Sequence, residues 1–290
     1  VMADTVFVTG PAGFIGSHLS QRLIGQGHRV VGLDNFCDFY PRPRKEANLT
    51  ELRDSPAFTL IEGDIRDREA VFAAFGEHRP THVIHIAAMA GVRPSIENPK
   101  YYTEVNLDGT VNLLDAAVEV GCKRFLFASS SSVYGNNEKA PFAEDDPVDY
   151  PISPYAATKR SGELICHTYH HLHGLAIACL RFFTVFGPRQ RPDLAIAKFL
   201  QLVADEQPIP MFGDGSTSRD YTYIDDIVDG IMAALDRVES HGYRIWNLGG
   251  SQPITLSDMI ATIGRVVGRE PIIDRKPMQP GDVNRTWCDT

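Results

Sequence analysis

An apolar, β-branched run that breaks into three evenly spaced glycines constrains this chain more than any other feature. Thr5-Val6-Phe7-Val8-Thr9 passes into Gly10-Pro11-Ala12-Gly13-Phe14-Ile15-Gly16, and Ile15, Leu19 and Leu23 then recur at helical spacing. The pattern predicts a strand, a tight turn and a helix. Glycine has no Cβ, so backbone can come close to a ligand there, and the first helical turn, at Phe14 and Ile15, points unpaired N–H groups outward. A diphosphate fits such a helix start, favoured by the positive end of the dipole. A second strand, Arg29-Val30-Val31-Gly32-Leu33, ends at Asp34. An acid about 20 positions past the last glycine is where a dinucleotide's adenosine ribose is held. The carboxylate accepts from both ribose hydroxyls and repels a 2′-phosphate, so NAD is the cofactor expected, not NADP.

The 290 residues are 43% hydrophobic, enough for one large or two small globular domains. A formal net charge of −9 without a clustered basic face argues against nucleic acid or an anionic membrane as partner. Cys37, Cys122, Cys166, Cys179 and Cys288 are odd in number and scattered, which predicts neither a disulfide framework nor a zinc site. With no apolar run of membrane-spanning length and no signal-peptide pattern, a cytoplasmic protein is expected.

Along the chain, Asn35 to Asn48, with Pro41 and Pro43, reads as a long loop over the adenosine end. Phe58 to Glu62 reads as a third strand, followed by Asp64 and Ile65 where a loop meets the adenine, the acid toward its amine and the isoleucine against its ring. Asp67 is placed to cap the next helix. His82 to Ile86 is a fourth strand that ends in the small residues Ala87, Ala88 and Ala90. A helical segment with Val105, Leu107, Val111, Leu114 and Val118 precedes the strand Arg124 to Ala128. This alternation predicts an α/β fold with a Rossmann doubly wound parallel sheet over 1–175. Beyond it, 176–290 reads mainly as a smaller C-terminal substrate-binding α/β lobe, interleaved with the first, with helices near 194–205, 225–237 and 256–267.

Ser129-Ser130-Ser131-Ser132-Val133-Tyr134-Gly135 follows the fifth strand, so its hydroxyls emerge at the sheet edge that carries the glycine loop. Pro154 opens a helix to about His173, in which Tyr155 and Lys159 are i and i+4 and share a face. An ammonium beside a phenol favours phenolate and predicts a base usable near neutral pH.

Together the glycine loop, the serine run and the Tyr155 to Lys159 spacing resemble the extended short-chain dehydrogenase/reductase superfamily, and within it the nucleotide-sugar epimerases. The likeness covers nearly the whole chain. Arg181-Phe182-Phe183-Thr184-Val185-Phe186-Gly187-Pro188-Arg189-Gln190-Arg191-Pro192-Asp193 and Arg219-Asp220-Tyr221 resemble the UDP-glucuronate 4-epimerase branch more than the UDP-galactose one, which usually has Asn and Pro where this chain has Thr184 and Val185.

The resemblance implies that Tyr155 takes the proton of the sugar 4-hydroxyl while C4 gives hydride to NAD, with Lys159 tuning Tyr155 and Ser130 holding the hydroxyl. It further implies cofactor contacts from Asn35, Asn106, Ser129 and Phe182. Substrate contacts are implied for Arg93, Phe212 and Asp282, the last at the uridine ribose, and for Arg219, Arg189 and Arg191 at the diphosphate. Related dehydratases carry Asp and Glu where this chain has Ser131 and Ser132, and uronate decarboxylases commonly carry Glu at the second. Ser132 and Thr184 are therefore expected to hold a sugar carboxylate without added negative charge. Gln279 departs from an arginine frequent in the galactose enzymes, and Phe182 replaces a Tyr common there. The family usually runs on past the position of Thr290, so a short further segment is expected. His167, His170, His171 and His173 lack a carboxylate or Cys at matching spacing, so no metal is expected and they read as an exposed or subunit-facing helix side. The family dimerises through two helices, here those near 100–120 and 154–173. The readings left open are a UDP-glucose 4-epimerase and, in another class, a non-catalytic NAD-binding regulatory protein.

Overall fold

The computed structural model describes residues 4–278 and 283–290. The first half alternates as the sequence pattern requires: β1 (Thr5–Thr9), α1 (Phe14–Gly25), β2 (Arg29–Asp34), α2 (Arg42–Asn48), α3 (Thr50–Arg53), β3 (Phe58–Glu62), α4 (Arg68–His78) and β4 (His82–His85). Then come α5 (Val92–Glu97), α6 (Pro99–Thr103), a π-turn at Glu104–Asp108, α7 (Gly109–Val120), β5 (Arg124–Ser130), a 3₁₀ turn at Ser131–Tyr134, α8 (Pro154–His173) and β6 (Ala176–Phe182). The remainder is β7 (Thr184–Phe186), α9 (Ala195–Ala204), β8 (Ile209–Phe212), β9 (Ser218–Tyr223), α10 (Ile224–His241), β10 (Tyr243–Leu248), β11 (Pro253–Thr255), α11 (Leu256–Val267) and β12 (Ile273–Lys276).

Seven strands form one sheet in the order β10-β6-β5-β4-β1-β2-β3, and every neighbouring pair is parallel. β1 lies inside it, with Val6 opposite both Val30 and His82. Its apolar run is continuous because both faces are covered. Leu19 and Leu23 of α1 pack with Ile227 and Ile231 of α10 on one face. Val71 of α4, Leu113 of α7 and Cys166 of α8 cover the other. Val6, Phe7 and Val8 have no exposed surface, and burying each of these side chains stabilises the fold by about 1.5–3 kcal/mol.

After residue 175 the chain returns to this sheet twice, as β6 and as the edge strand β10 with α10 behind it. The rest of that half makes a three-stranded sheet, β11-β9-β7, and the pair β12-β8, with α9 and α11 sharing a core around Phe199 and Ile263. The final described segment is stitched back: Phe142 N donates to Trp287 O at 2.7 Å, Asp289 N to Phe142 O at 3.1 Å and Cys288 N to Asp220 Oδ2 at 2.8 Å.

The stretch read as a loop over 35–48 is helical from Arg42 to Asn48. Pro43 does not break α2, because it falls in the first turn, where the missing N–H has no partner in the helix. The segment around Val105 opens with the π-turn, which adds a residue to the turn and directs Asn106 inward. Asp67 caps α4 by accepting from Ala70 N at 3.0 Å. No helix among the described residues is long and apolar enough to cross a membrane.

Candidate active site

The C-terminal ends of the central strands open into a cavity of about 410 Å³, the position at which open α/β sheets take their ligands. At one end is the loop between β1 and α1. Gly13 is the N-cap of α1 and has no side chain with which to cap it, and no acid lies in the first turn. The positive helix end is thus left to a ligand. A Cβ on Gly16 would sit 2.0 Å from Gly10 O, so the loop can turn this tightly only with glycine there. Gly10, Gly13, Phe14, Ile15 and Gly16 all line the cavity.

Asp34 reaches the cavity from the end of β2. Its Oδ2 accepts from Ala12 N at 3.0 Å and its Oδ1 from Phe36 N at 2.9 Å. Each oxygen keeps a second lone pair for a ribose hydroxyl. Burial pushes the Asp34 carboxyl above its ordinary value, opposed by those two N–H groups and by the Lys45 ammonium. Lys45 was not anticipated. It is 4% exposed, donates to Cys37 O at 2.5 Å and lies over the Tyr40 ring at 4.7 Å. Reading 35–48 as a loop hid it, although its basic character was visible. Asp64, Asn35 and Ile65 line the same end. Burial raises the Asp64 carboxyl, but Arg66, at 2.8 Å and 3.0 Å, its backbone N–H, and Asn35 Nδ2, at 2.9 Å, together hold it at about 2. Asp64 therefore already serves protein donors and has less free acceptor capacity for an adenine amine than the sequence reading assumed. Ala87, Ala88 and Ala90 complete this end.

At the other end Ser130, Ser131, Ser132, Tyr155, Lys159, Phe182, Thr184 and Arg191 share the lining. Ser130 Oγ donates to Ser132 Oγ at 3.1 Å. Lys159 Nζ donates to Ala128 O at 2.7 Å and stands 6.0 Å from the centre of the Tyr155 ring. Before a dinucleotide binds, burial dominates the electrostatics of both groups. Burial raises the Tyr155 hydroxyl above its ordinary value, with a Ser130 hydrogen bond and the Arg191 charge opposing it. Burial also lowers the Lys159 ammonium to about 8.

Several expected residues lie elsewhere. Ser129 borders the cavity, but its hydroxyl donates to Glu163 Oε1 at 2.6 Å. Asn106 is 1% exposed and outside the lining, where it holds the 89 loop by accepting from Met89 N at 2.8 Å and donating to Met89 O at 3.0 Å. Arg189 turns to α1, at 3.0 Å from Gln21 Oε1, whereas Arg191 faces the cavity and pairs with Asp193 at 2.9 Å. Arg93 stacks on Phe212 at 4.7 Å, outside the lining, and Arg219 donates to Ser218 O at 2.9 Å. Asp282 and Gln279 lie outside the described residues. Of the helix histidines, His170 Nδ1 is 2.9 Å from Leu175 O and His167 packs edge-on to Tyr243. No metal-binding group of three or more such side chains occurs among the described residues.

One cavity thus serves two purposes: an uncapped glycine helix start made for a dinucleotide, and a hydroxyl, phenol and ammonium a few strands away. That pairing defines an enzyme of the short-chain dehydrogenase type. The chain belongs to the NAD dependent epimerase/dehydratase family, which it matches over residues 6–249. A UDP-glucuronate 4-epimerase of Thermodesulfobacterium geofontis is 44% identical, over 97% of this chain and 86% of that protein. The UDP-glucuronic acid 4-epimerase of Bacillus cereus, solved with UDP-glucuronic acid and NAD, superposes with a TM-score of 0.92 at 36% identity, covering 98% of this chain and 90% of that one. The Thermus thermophilus UDP-glucose 4-epimerase, solved with NAD, does so with a TM-score of 0.89 at 34% identity, covering 98% and 90%.

Proposed function

We propose that the protein interconverts UDP-glucuronate and UDP-galacturonate by 4-epimerisation with bound NAD. The observation that carries this reading is the composition of the catalytic end: hydroxyls of Ser130, Ser131, Ser132 and Thr184 beside Tyr155, Lys159 and Arg191, with no carboxylate among the described residues lining it. A dehydratase needs an acid there. A uronate needs neutral or positive donors for its carboxylate, and Ser132 and Thr184 supply the neutral ones.

The residues fit NAD: α1 takes the diphosphate, Asp34 the adenosine ribose and Lys159 the nicotinamide ribose. When bound, NAD supplies a reversible hydride acceptor and a positive ring charge. Tyr155 removes the proton of the 4-hydroxyl and returns it, Ser130 orients that hydroxyl, and the 4-keto sugar turns over between the two steps. No net oxidation results. Residues 176–290 act mainly as the substrate lobe, with Arg191 toward the diphosphate. The exposed Leu164 and Leu172 on α8, 53% and 69% accessible, support a homodimer formed through α8 and the helices before β5. Five free cysteines support a reducing, cytoplasmic setting.

The test is product analysis with UDP-glucuronate and, separately, UDP-glucose. UDP-galacturonate formed without carbon dioxide is the expected outcome. Turnover of UDP-glucose alone would overturn the uronate reading in favour of the neutral sugar. NAD that binds but is never reduced by either sugar would indicate a regulatory protein.

A further inference from the structure

Tyr155, Lys159 and Glu163 follow one another at i, i+4 and i+8 on one face of α8, which runs against the end of β5. Tyr155 shares the cavity lining with Ser130, Lys159 Nζ donates to Ala128 O at 2.7 Å, and Glu163 Oε1 accepts from Ser129 Oγ at 2.6 Å. The lowest of these ties is itself held from the neighbouring strand. Arg181 is the register partner of Ser129 in β6 and grips both Glu163 oxygens, Nε at 2.9 Å and Nη2 at 3.0 Å. Its remaining nitrogen, Nη1, donates to the Tyr134 hydroxyl at 2.9 Å and to Glu144 O at 3.1 Å. The serine run is therefore pinned at both ends by one ion pair, Ser129 through Glu163 and Tyr134 through Arg181. Ser130 to Ser132 are displayed between the pins.

Glu163 and Arg181 are 0% and 1% exposed. A fully buried ion pair contributes little net stability compared with apolar side chains of similar volume, so stability alone is a weak reason for having one here. What apolar side chains could not provide is directional bonds to Ser129 and Tyr134 at once. We propose that Glu163 and Arg181 are positioning residues of the epimerase reaction: their ion pair sets the register of α8 against the serine run and so the approach of the Tyr155 phenol to the hydroxyl that Ser130 orients. This rests on the 4-epimerase reading above.

The experiment uses the NAD-loaded full chain and whichever sugar nucleotide the unaltered protein turns over, so that a wrong sugar assignment fails in the unaltered protein and not in the variants. The double variant Glu163→Leu with Arg181→Met removes both buried charges; Arg160, which also donates to Glu163 Oε2 at 3.1 Å, is partly exposed and keeps its access to solvent. Its melting temperature should stay within about 4 °C of the parent. Its kcat should fall between about tenfold and a hundredfold, with KM changed less than about threefold. The acid limb of its kcat profile should move to higher pH, because the Ser130 bond that holds the phenol down is no longer enforced. Ser129→Ala cuts only the tie from strand to helix and should show the same pattern more weakly. If the double variant does not fold, Ser129→Ala decides alone. Parental kcat and an unmoved acid limb in a folded double variant, or in Ser129→Ala, would overturn the proposal.

Discussion

As the proposed base, Tyr155 has to lose a proton in surroundings that, before a dinucleotide binds, favour keeping it: burial raises its phenol, opposed by a Ser130 hydrogen bond and the Arg191 charge. Arg191 is thus expected to act on the base as well as on the diphosphate. Arg191→Met should raise the phenol's pKa, and since the reactive form is the deprotonated one, the acid limb of kcat at saturating substrate should move to higher pH. Activity at neutral pH falls several-fold and recovers as the pH is raised; an unmoved limb would mean that Arg191 serves the substrate alone. The i, i+4 spacing of Tyr155 and Lys159 was legible in the sequence. The partner of Lys159, a carbonyl at residue 128, was not, because nothing local to the helix announces which strand end it meets. The two arginines of the 187–193 segment looked equivalent as letters. Arg189 has a φ of +65°, and the chain turn there sends it to α1 while Arg191 goes to the cavity, a distinction set by turn geometry.

The approach of α8 to β5 depends on a missing atom. A Cβ on Gly162 would lie 2.4 Å from Phe127 Cζ, and the same Phe127 ring lies 5.0 Å below the Lys159 ammonium. Gly162→Ala should push α8 off the strand, destabilising the protein by about 1–3 kcal/mol in denaturant titrations and lowering kcat with it. Unchanged unfolding and turnover would mean the ring can move aside freely. The five strands over the first 130 residues followed from periodicity, whereas α3, α5 and α6 are too short to show a period. The misreading came where two rules competed: Pro41 and Pro43 look like loop punctuation, yet proline is also at home in a first helical turn, and α2 uses it so. Lys45 was lost with that helix, and the inward turn of Asn106 toward Met89 was not legible, because a π-turn leaves no mark in the pattern of apolar residues.

The chain crosses between its two lobes repeatedly, since β10 joins the main sheet from far along the sequence. A parallel sheet requires such returns, and hydrophobic periodicity does not say which strand makes them. Leu164 and Leu172, two turns apart on α8, leave an apolar stripe exposed beside the imidazoles of His167 and His171. Replacing both leucines with Glu should convert the proposed dimer to monomer in sedimentation experiments while leaving NAD bound. A monomeric parent protein would remove that reading. The pinned serine run has one more consequence. Tyr134 also donates to Asn247 Oδ1 at 2.7 Å, and Asn247 in turn donates to Asp289 O at 3.3 Å. The proposed contacts for the dinucleotide's diphosphate and adenosine lie within the first 90 residues, whereas the serine run is braced from strands much further along the chain. A rim that looks local is thus held by a bond spanning 113 positions of the chain, from Tyr134 to Asn247, so the serine run can take its shape only after the edge strand β10 has docked on the sheet.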